Sequence, residues 1–548
     1  MYIEPEHHPD KKYNTSQEEI DLLKEEIGLL KKLVNKQMSQ IEALRVMNHG
    51  YLQEIAGLKA EMRRLKELKA KPKIRASKMD KKDDKPDGMQ GRTWKRPGSE
   101  KRSKRNTLKI DKIEIIKAKD IPVDSKFKGY KKYLVQGLEI RTGNCLFKLE
   151  RWQLPDGSYK VAELPKNLIG QHFSCELRTY ILHQYHHQGV TQPLLLSQLK
   201  EWGIDISSGQ LNRILTEDKE IFHKEKAEIL VSGLAVSDYI QVDDTGARHK
   251  GKNGYCTHIG NEFFGWFEST SSKSRVNFLE LLRQGQTEYI INEHGLNYMK
   301  AHKLAPKYME QLRQGLRVFE TQESWHNHLN KLEITSPHNK RIATEGALIG
   351  SLLQHGFKAD MAILSDDAGQ FNVFLHALCW FHAERKINEL IPFGEAQVKA
   401  IEEKRNEFWN LYYRLKEYKL APNEISKHDI EKQFDKLCLP NTCCPSLNKV
   451  LKKFMSDKEE LLLVLDRPEI PLHNNLSEND IREYVKKRKI SGSTRNDAGR
   501  KCRDTFTSLK KTCKKLNIQF WDYLLDRLKI EGKILPLSTL VKQKAMAC

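Results

Sequence analysis

An acid closes each of two strand-like stretches of this chain, and a third acid opens a helix. In Tyr239-Ile-Gln-Val-Asp-Asp-Thr-Gly246, Ile240 and Val242 alternate as strand residues do, which places Asp243 on the opposite face. Ala359 to Ser365 reads as a short buried strand, and Asp366-Asp-Ala-Gly follows at its C-terminal end, where open α/β sheets gather ligand-handling residues. In Pro471-Leu-His-Asn-Asn-Leu-Ser-Glu-Asn-Asp-Ile-Arg482, a helix starting near Leu476 puts Glu478 in its first turn. An acid there also suits the helix dipole, so that position alone proves no chemistry. Asp243, Asp366 and Glu478 on separate elements are what Mg²⁺ needs: hard oxygen ligands with room for water and phosphate. A metal pair held so can activate an attacking hydroxyl and stabilise the leaving oxygen of an in-line displacement.

The elements that position these acids read as α/β. After the first acid come strand-like Tyr255 to Ile259 and Phe263 to Phe267, then a helical stretch from Lys273 to Gln284. Three strands and a helix, with an acid on the first strand, suggest the opening of an RNase H-like core. Phe374 to Lys386 reads as a strand running into a helix. Long helical insertions, about 285–347 and 390–460, separate the acids within a core drawn at 233–500, and a helical tail follows at 501–548.

Upstream, four segments differ sharply. Residues 16–68 repeat in heptads: Ile20, Ile27, Val34, Ile41, Asn48, Ile55 and Met62 at one core position, Leu23, Leu30, Leu44, Leu58 and Leu65 among those at the other. β-Branched residues facing leucine favour a parallel two-stranded coil, with Asn48 fixing its register. Residues 69–106 are rich in Lys and Arg among Pro, Gly, Ser and Asp, the composition of a disordered linker able to track phosphates. Residues 107–166 read as a small β-module: strands at Lys112 to Ile116 and Tyr133 to Ile140, then a hairpin, Cys145 to Leu154 and Tyr159 to Leu164, around Pro155-Asp-Gly157. Residues 167–232 are helical, with an amphipathic helix to Trp202, a break at Gly203 and a capping-box spacing at Ser207 and Gln210. That is the outline of a helix-turn-helix, shared with any helical hairpin, with Gln210, Asn212 and Arg213 as base-contact candidates.

Charge names the partner class. The chain has 548 residues, 94 Lys and Arg against 73 Asp and Glu, and a net charge of +21. That excess points to nucleic acid, and the run Lys486-Lys487-Arg488-Lys489 with Arg482 just past Glu478 fits a phosphate backbone. No run of about 18 apolar residues exists, so no membrane span is expected. The opening residues carry no leader pattern, and the ten cysteines are scattered, which suits reduced thiols in the cytoplasm, close to the nucleoid. Cys379 and His382 have metal-ligand spacing but only two ligands, so zinc is not expected. No Walker loop occurs, so ATP is not indicated.

His376-Ala-Leu-Cys-Trp-Phe-His-Ala-Glu-Arg-Lys386 and His473-Asn-Asn-Leu-Ser-Glu-Asn-Asp-Ile-Arg482 resemble patterns of the insertion-sequence-66 family of DDE transposases. Asp243-Asp-Thr-Gly-Ala-Arg248, Ser365-Asp366 and Ser491-Gly-Ser493 are similar to further family motifs, and the likeness covers most of the chain. The resemblance implies a transposase that cuts and joins DNA with Mg²⁺, replaceable by Mn²⁺, on Asp243, Asp366 and Glu478. It favours Asp243 over Asp244 and Asp366 over Asp367. It also implies element ends and target DNA as partners, possible small accessory proteins, and self-association through the coil. A decayed, non-catalytic DNA-binding or bridging protein and a metal-dependent nuclease are the alternatives. The chain departs from the family pattern at Asp367 and Ala368, and at residues 107–166, where Cys145 stands alone in place of a cysteine-rich zinc module. The expected fold is therefore multidomain α+β, with a coiled coil, a small β-module, a helix-turn-helix and an RNase H-like α/β catalytic core.

Replacing both Ile27 and Ile41 by glutamate buries unpaired charge in the heptad seam and is expected to separate the protomers. Light scattering checks this; an unchanged oligomer would contradict it.

Overall fold

The computed structural model describes residues 27–30, 32, 37–38, 40, 110–120, 122, 124–135, 140–315 and 317–547. The coil expected at 16–68 lies outside them, apart from residues 27–30, 32, 37, 38 and 40, which are helical. The basic segment 69–106 lies wholly outside. The chain divides into two units, Met1–Gln136 and Gly137–Cys548.

In the first unit, Lys112 to Ile116 and Tyr133 to Val135 form no strand. Ile113 and Ile116 are 80% and 90% exposed, so their β-branched side chains meet none of the packing on which strand preference rests. The second unit opens with the expected hairpin, shortened to three-residue strands: β1 (Arg151–Gln153) and β2 (Tyr159–Val161). Asp156 accepts from the Ser158 N–H at 2.9 Å and Gly157 takes φ +83°, the turn chemistry its residue types dictate.

Four helices follow. Helix α1 (Cys175–Leu182) is capped by Ser174 and runs into a π-helical turn, His183–Gln188. Helix α2 (Gln192–Glu201) ends before Gly203, whose φ of +75° turns the chain. Helix α3 (Ser208–Thr216) opens on a capping box: Ser207 Oγ accepts from the Gln210 N–H, and Gln210 Oε1 accepts from the Ser207 N–H. Helix α4 (Glu220–Val236) leads into the sheet.

The sheet is mixed and five-stranded. Strands β3 (Tyr239–Gly246), β4 (Tyr255–Gly260) and β5 (Gly265–Thr270) form an antiparallel meander. Helix α5 (Arg275–Leu282) follows. The insertion around 285–347 holds a two-strand ladder, β6 (Tyr289–Ile290) with β7 (Val318–Phe319), and helices α6 (Glu293–Ala301), α7 (Pro306–Gln314), α8 (Gln322–Lys331) and α9 (Pro337–Gln354). Helices α6 and α9 approach through glycine: a Cβ on Gly295 would lie 2.5 Å from the Gly346 carbonyl oxygen. Strands β8 (Ala362–Ser365) and β9 (Leu375–Leu378) then join parallel to β3, giving the order β5-β4-β3-β8-β9.

Helix α10 (Trp380–Asn388) packs on the second insertion, α11 (Glu395–Tyr418), α12 (Glu424–Leu437), α13 (Pro445–Ser456) and α14 (Lys458–Leu462), around Trp380, Phe408, Phe434 and Phe454. This is a core of its own, distinct from the larger one that joins the first helices, the sheet and the C-terminal helices.

Helix α15 (Asn475–Ser491) crosses the sheet, followed by α16 (Asp497–Lys515), α17 (Phe520–Lys529) and α18 (Leu537–Met546). The boundary drawn at residue 500 falls inside α16, which covers the edge strand. Thr512, Ser508 and Asp504 accept from the N–H groups of Gly265, Phe267 and Ser269, which no neighbouring strand reaches. An open strand edge is thereby closed by helix side chains. Among the described residues, no helix is long and apolar enough to cross a membrane.

Candidate active site

The parallel register carries two of the acids to one place. Gln241 faces Leu364 across β3 and β8, and two residues further along lie Asp243 and Asp366. Both therefore stand just past the end of the parallel β3–β8 ladder, on the side where such sheets place ligand-handling groups. Helix α15 lies over this end: Asn474 Nδ2 donates to the Val242 carbonyl at 2.8 Å, and the Ser477 N–H reaches Gln241 Oε1 at 3.4 Å. Glu478 sits in the first turn of α15, where its carboxylate is 3.0 Å from Arg482 and 3.7 Å from His382 Nε2.

The negative charges of Asp366 and Glu478 both act on Asp243. Asp243 is pushed up to about 7, first by burial and then by the negative charge of Asp366, with Asp244 and Glu478 adding to it. Its own bond from the Asp244 N–H, at 2.7 Å, only partly offsets this. Asp244 is also raised by burial, but Lys273 and a 2.6 Å bond from Gln370 oppose the rise. Asp367 turns elsewhere, paired with Lys386 at 2.5 Å and Lys453 at 3.8 Å. His382 is lowered by burial and by Arg385, while the charges of Asp366 and Glu478 oppose that shift. Among the described residues no group of three or more His, Cys, Asp or Glu side chains is close enough to hold a metal ion.

The basic residues divide. Arg482, Lys486 and Lys489 are exposed. Lys487 is not a surface cation, contrary to expectation: it is buried, donates to the Tyr185 carbonyl and lies 3.6 Å from the Tyr185 ring centre. Burial and the nearby Arg503 push it down to about 7. Arg488 donates to Thr245 Oγ1 and the Gly246 carbonyl, so it ties α15 to the end of β3. Of the hairpin candidates only Arg213 is exposed. The carboxamide oxygen of Gln210 serves the cap, and Asn212 Oδ1 accepts from Gln192 at 3.3 Å.

Two anchoring networks escape a reading of motifs. Asp480, on the buried face of α15, meets His258 at 3.2 Å, Lys511 at 3.2 Å and Lys515 at 2.7 Å, while His258 Nδ1 bonds Ser477 Oγ at 2.7 Å. The usable signal is periodic: Ser477, Asp480 and Tyr484 share a helix face, so an acid lies among buried positions. Beside Asp366, Ser365 Oγ bonds His376 Nε2 at 2.8 Å, and His376 Nδ1 bonds Glu460 at 3.0 Å. No motif spacing announces that relay, because Glu460 arrives from the second insertion.

A mixed sheet with acids at its parallel strand ends and a third acid on a crossing helix defines a carboxylate-lined site on an α+β core. Residues 345–502, which hold Asp366 and Glu478, match the family described as Transposase IS66 family. The chain is also 42% identical over 321 residues to uncharacterized protein y4jO of Sinorhizobium fredii (strain NBRC 101917 / NGR234), a span of 58% of this chain and 100% of that protein. The chain belongs to the Transposase IS66 family.

Because Asp243 holds its proton more tightly when folded than its ordinary value of 3.8 allows, its charge penalises the fold. The penalty is absent below about pH 4, grows through the window up to about 7, and is constant above it. Asp243→Asn removes the penalty. In chelator-treated protein the variant is therefore expected to melt above the unaltered chain at pH 8, with the gap shrinking toward pH 5. Equal melting differences at both pH values would contradict the shared-charge site.

Proposed function

We propose that this chain cuts donor DNA at the ends of a mobile element and joins the resulting 3′-hydroxyls to target DNA. Asp243, Asp366 and Glu478 are its metal-holding carboxylates. The observation that carries this reading is the raised Asp243, pushed up first by burial and then by the charges of Asp366, just past β8, and Glu478 on α15. The strand order supports an RNase H-like core, since three antiparallel strands are followed by two parallel to the first.

The donor oxygens suit Mg²⁺, with Mn²⁺ as a substitute; when bound, such ions supply activation of the attacking hydroxyl and stabilisation of the leaving oxygen. The chain's own groups prepare the site. Asp243 and Asp366 are held rigidly by adjacent strands, and Glu478 is oriented by Arg482 and His382. Exposed Lys486 and Lys489 continue along α15 as contacts for the phosphate backbone. Helices α2 and α3 serve as a helix-turn-helix, read through Arg213. The basic segment 69–106 adds phosphate contacts, and the heptads at 16–68 pair protomers so that two element ends are held together.

Cleavage of DNA carrying the element's ends is the test, run with accessory proteins present and folding of each variant checked. Asp243→Asn, Asp366→Asn and Glu478→Gln should each lower Mg²⁺-dependent cleavage by more than the roughly 10–100-fold that losing an outer partner of a metal site costs. DNA binding should persist. Asp244→Asn and Asp367→Asn should cost much less. Robust cleavage by all three triad variants would overturn the mechanism, and binding without cleavage by the unaltered chain would leave a non-catalytic DNA-binding protein.

A further inference from the structure

A cavity of about 560 Å³ opens between the π-helical turn, helices α2 and α3, and the loop Ser491–Asn496 that follows the Glu478 helix. Its volume falls in the ~300–1,000 Å³ range of sites for small organic groups. The lining is unusual in chemistry. Its floor is apolar, with Leu196, Leu211 and Leu215. Its polar groups are neutral hydroxyls and carboxamides, plus Arg495 and Arg503, and no acidic side chain lines it.

Two polar atoms in this lining have no partner. His186 is 8% exposed, stacks on Phe506 at 4.1 Å, and keeps Nε2 buried without a hydrogen bond. Ser491 Oγ is buried without one as well. Orphaned groups of this kind are rare in folded proteins and cost free energy unless something answers them. The electrostatics point the same way. Lys487, Lys219, Lys510 and Arg503 all press on His186 with the same sign, and burial together with these cations keeps that ring neutral. Lys510 has Glu483 as a partner at 3.1 Å, but Arg503 is turned to the Gly492 carbonyl and Lys487 to that of Tyr185. Of these cations Arg503 lines the cavity, and with Arg495 it makes a basic lining without acids that favours an anionic guest.

We propose that this cavity receives one unstacked nucleotide of the DNA strand that runs from α3 to the end of α15, its base among Asn212, Ser491 and His186 and its phosphate beside Arg495. The assignment of DNA as the source rests on the transposase reading; the anionic, base-sized character of the guest does not. A free phosphate would leave the apolar floor and the carboxamides unused, whereas a base offers a flat apolar face and polar edges together. Extruding a nucleotide costs a few kcal/mol, least where the strand is already nicked or unpaired. The ends generated by strand cleavage are such places.

The test is photo-crosslinking of the full-length protein to a single-stranded oligodeoxynucleotide carrying 5-iododeoxyuridine, with the crosslinked peptide mapped by mass spectrometry. Crosslinks are expected within residues 185–196 or 208–216. Leu196→Trp, which fills the floor, should lower their yield by about tenfold or more. Arg495→Ala, an exposed change that leaves the fold intact, should also lower the yield, and it keeps the test valid if the filled variant folds poorly. Bound oligonucleotide crosslinked elsewhere, at yields that neither variant changes, would overturn the pocket while leaving the transposase reading standing. No binding of DNA by the unaltered chain would overturn both.

Discussion

Asp480 lies beneath the first turns of α15 with His258 from β4 and Lys511 and Lys515 from α16, and this knot of charge decides where Glu478 stands. Burial opposes the Asp480 charge, yet the bond from His258 and the two ammonium groups hold its carboxyl far below the usual range. Removing one member of such a buried network leaves the others uncompensated, a loss of ~3–5 kcal/mol in comparable cases. The knot ties three elements at once: the middle of the meander, the helix carrying the third acid, and the helix that closes the β5 edge. Glu478 is two residues from Asp480, so its position over the strand ends follows from that anchorage rather than from the weak contacts of its own side chain.

The second acid is held by a different device. Ser365 Oγ contacts both His376 and the Asp366 carbonyl, and His376 in turn contacts Glu460, which Asn372 also binds at 2.8 Å. The Ser365 hydroxyl donates to the Asp366 carbonyl, and its oxygen faces His376 Nε2 at 2.8 Å. The second insertion thus has a structural role at the crevice: its helix α14 supplies the acid that orients the histidine beneath Asp366. Trp380 Nε1 donates to the Leu461 carbonyl at 2.9 Å and reinforces the same junction.

Local signals in the chain were readable and long-range ones were not. The start of α3, the strand carrying Asp243 and the strand preceding Asp366 follow from capping residues and short apolar runs. Lys487 was misread because a basic run looks like a solvated face. Helical spacing from Asp480 and Tyr484 places Lys487 on the buried side, where the Tyr185 carbonyl and ring receive it. The Ser207 and Gln210 spacing reported a capping box, and the cap takes the Gln210 side-chain oxygen. The strand expected at Lys112 to Ile116 failed for the opposite reason: β-branched composition is no substitute for a packed neighbour. The His258–Asp480 and His376–Glu460 contacts join residues far apart in the chain, and no spacing rule reports such pairs.

The central claim is that the fold brings Asp243, Asp366 and Glu478 together as one site for divalent cations. Titration of the full-length chain with Mn²⁺, followed by the electron paramagnetic resonance of the free ion, tests it directly. The unaltered chain is predicted to take up Mn²⁺, and a chain combining Asp243→Asn, Asp366→Asn and Glu478→Gln is predicted to leave it free. Equal uptake by the two folded proteins would contradict the account.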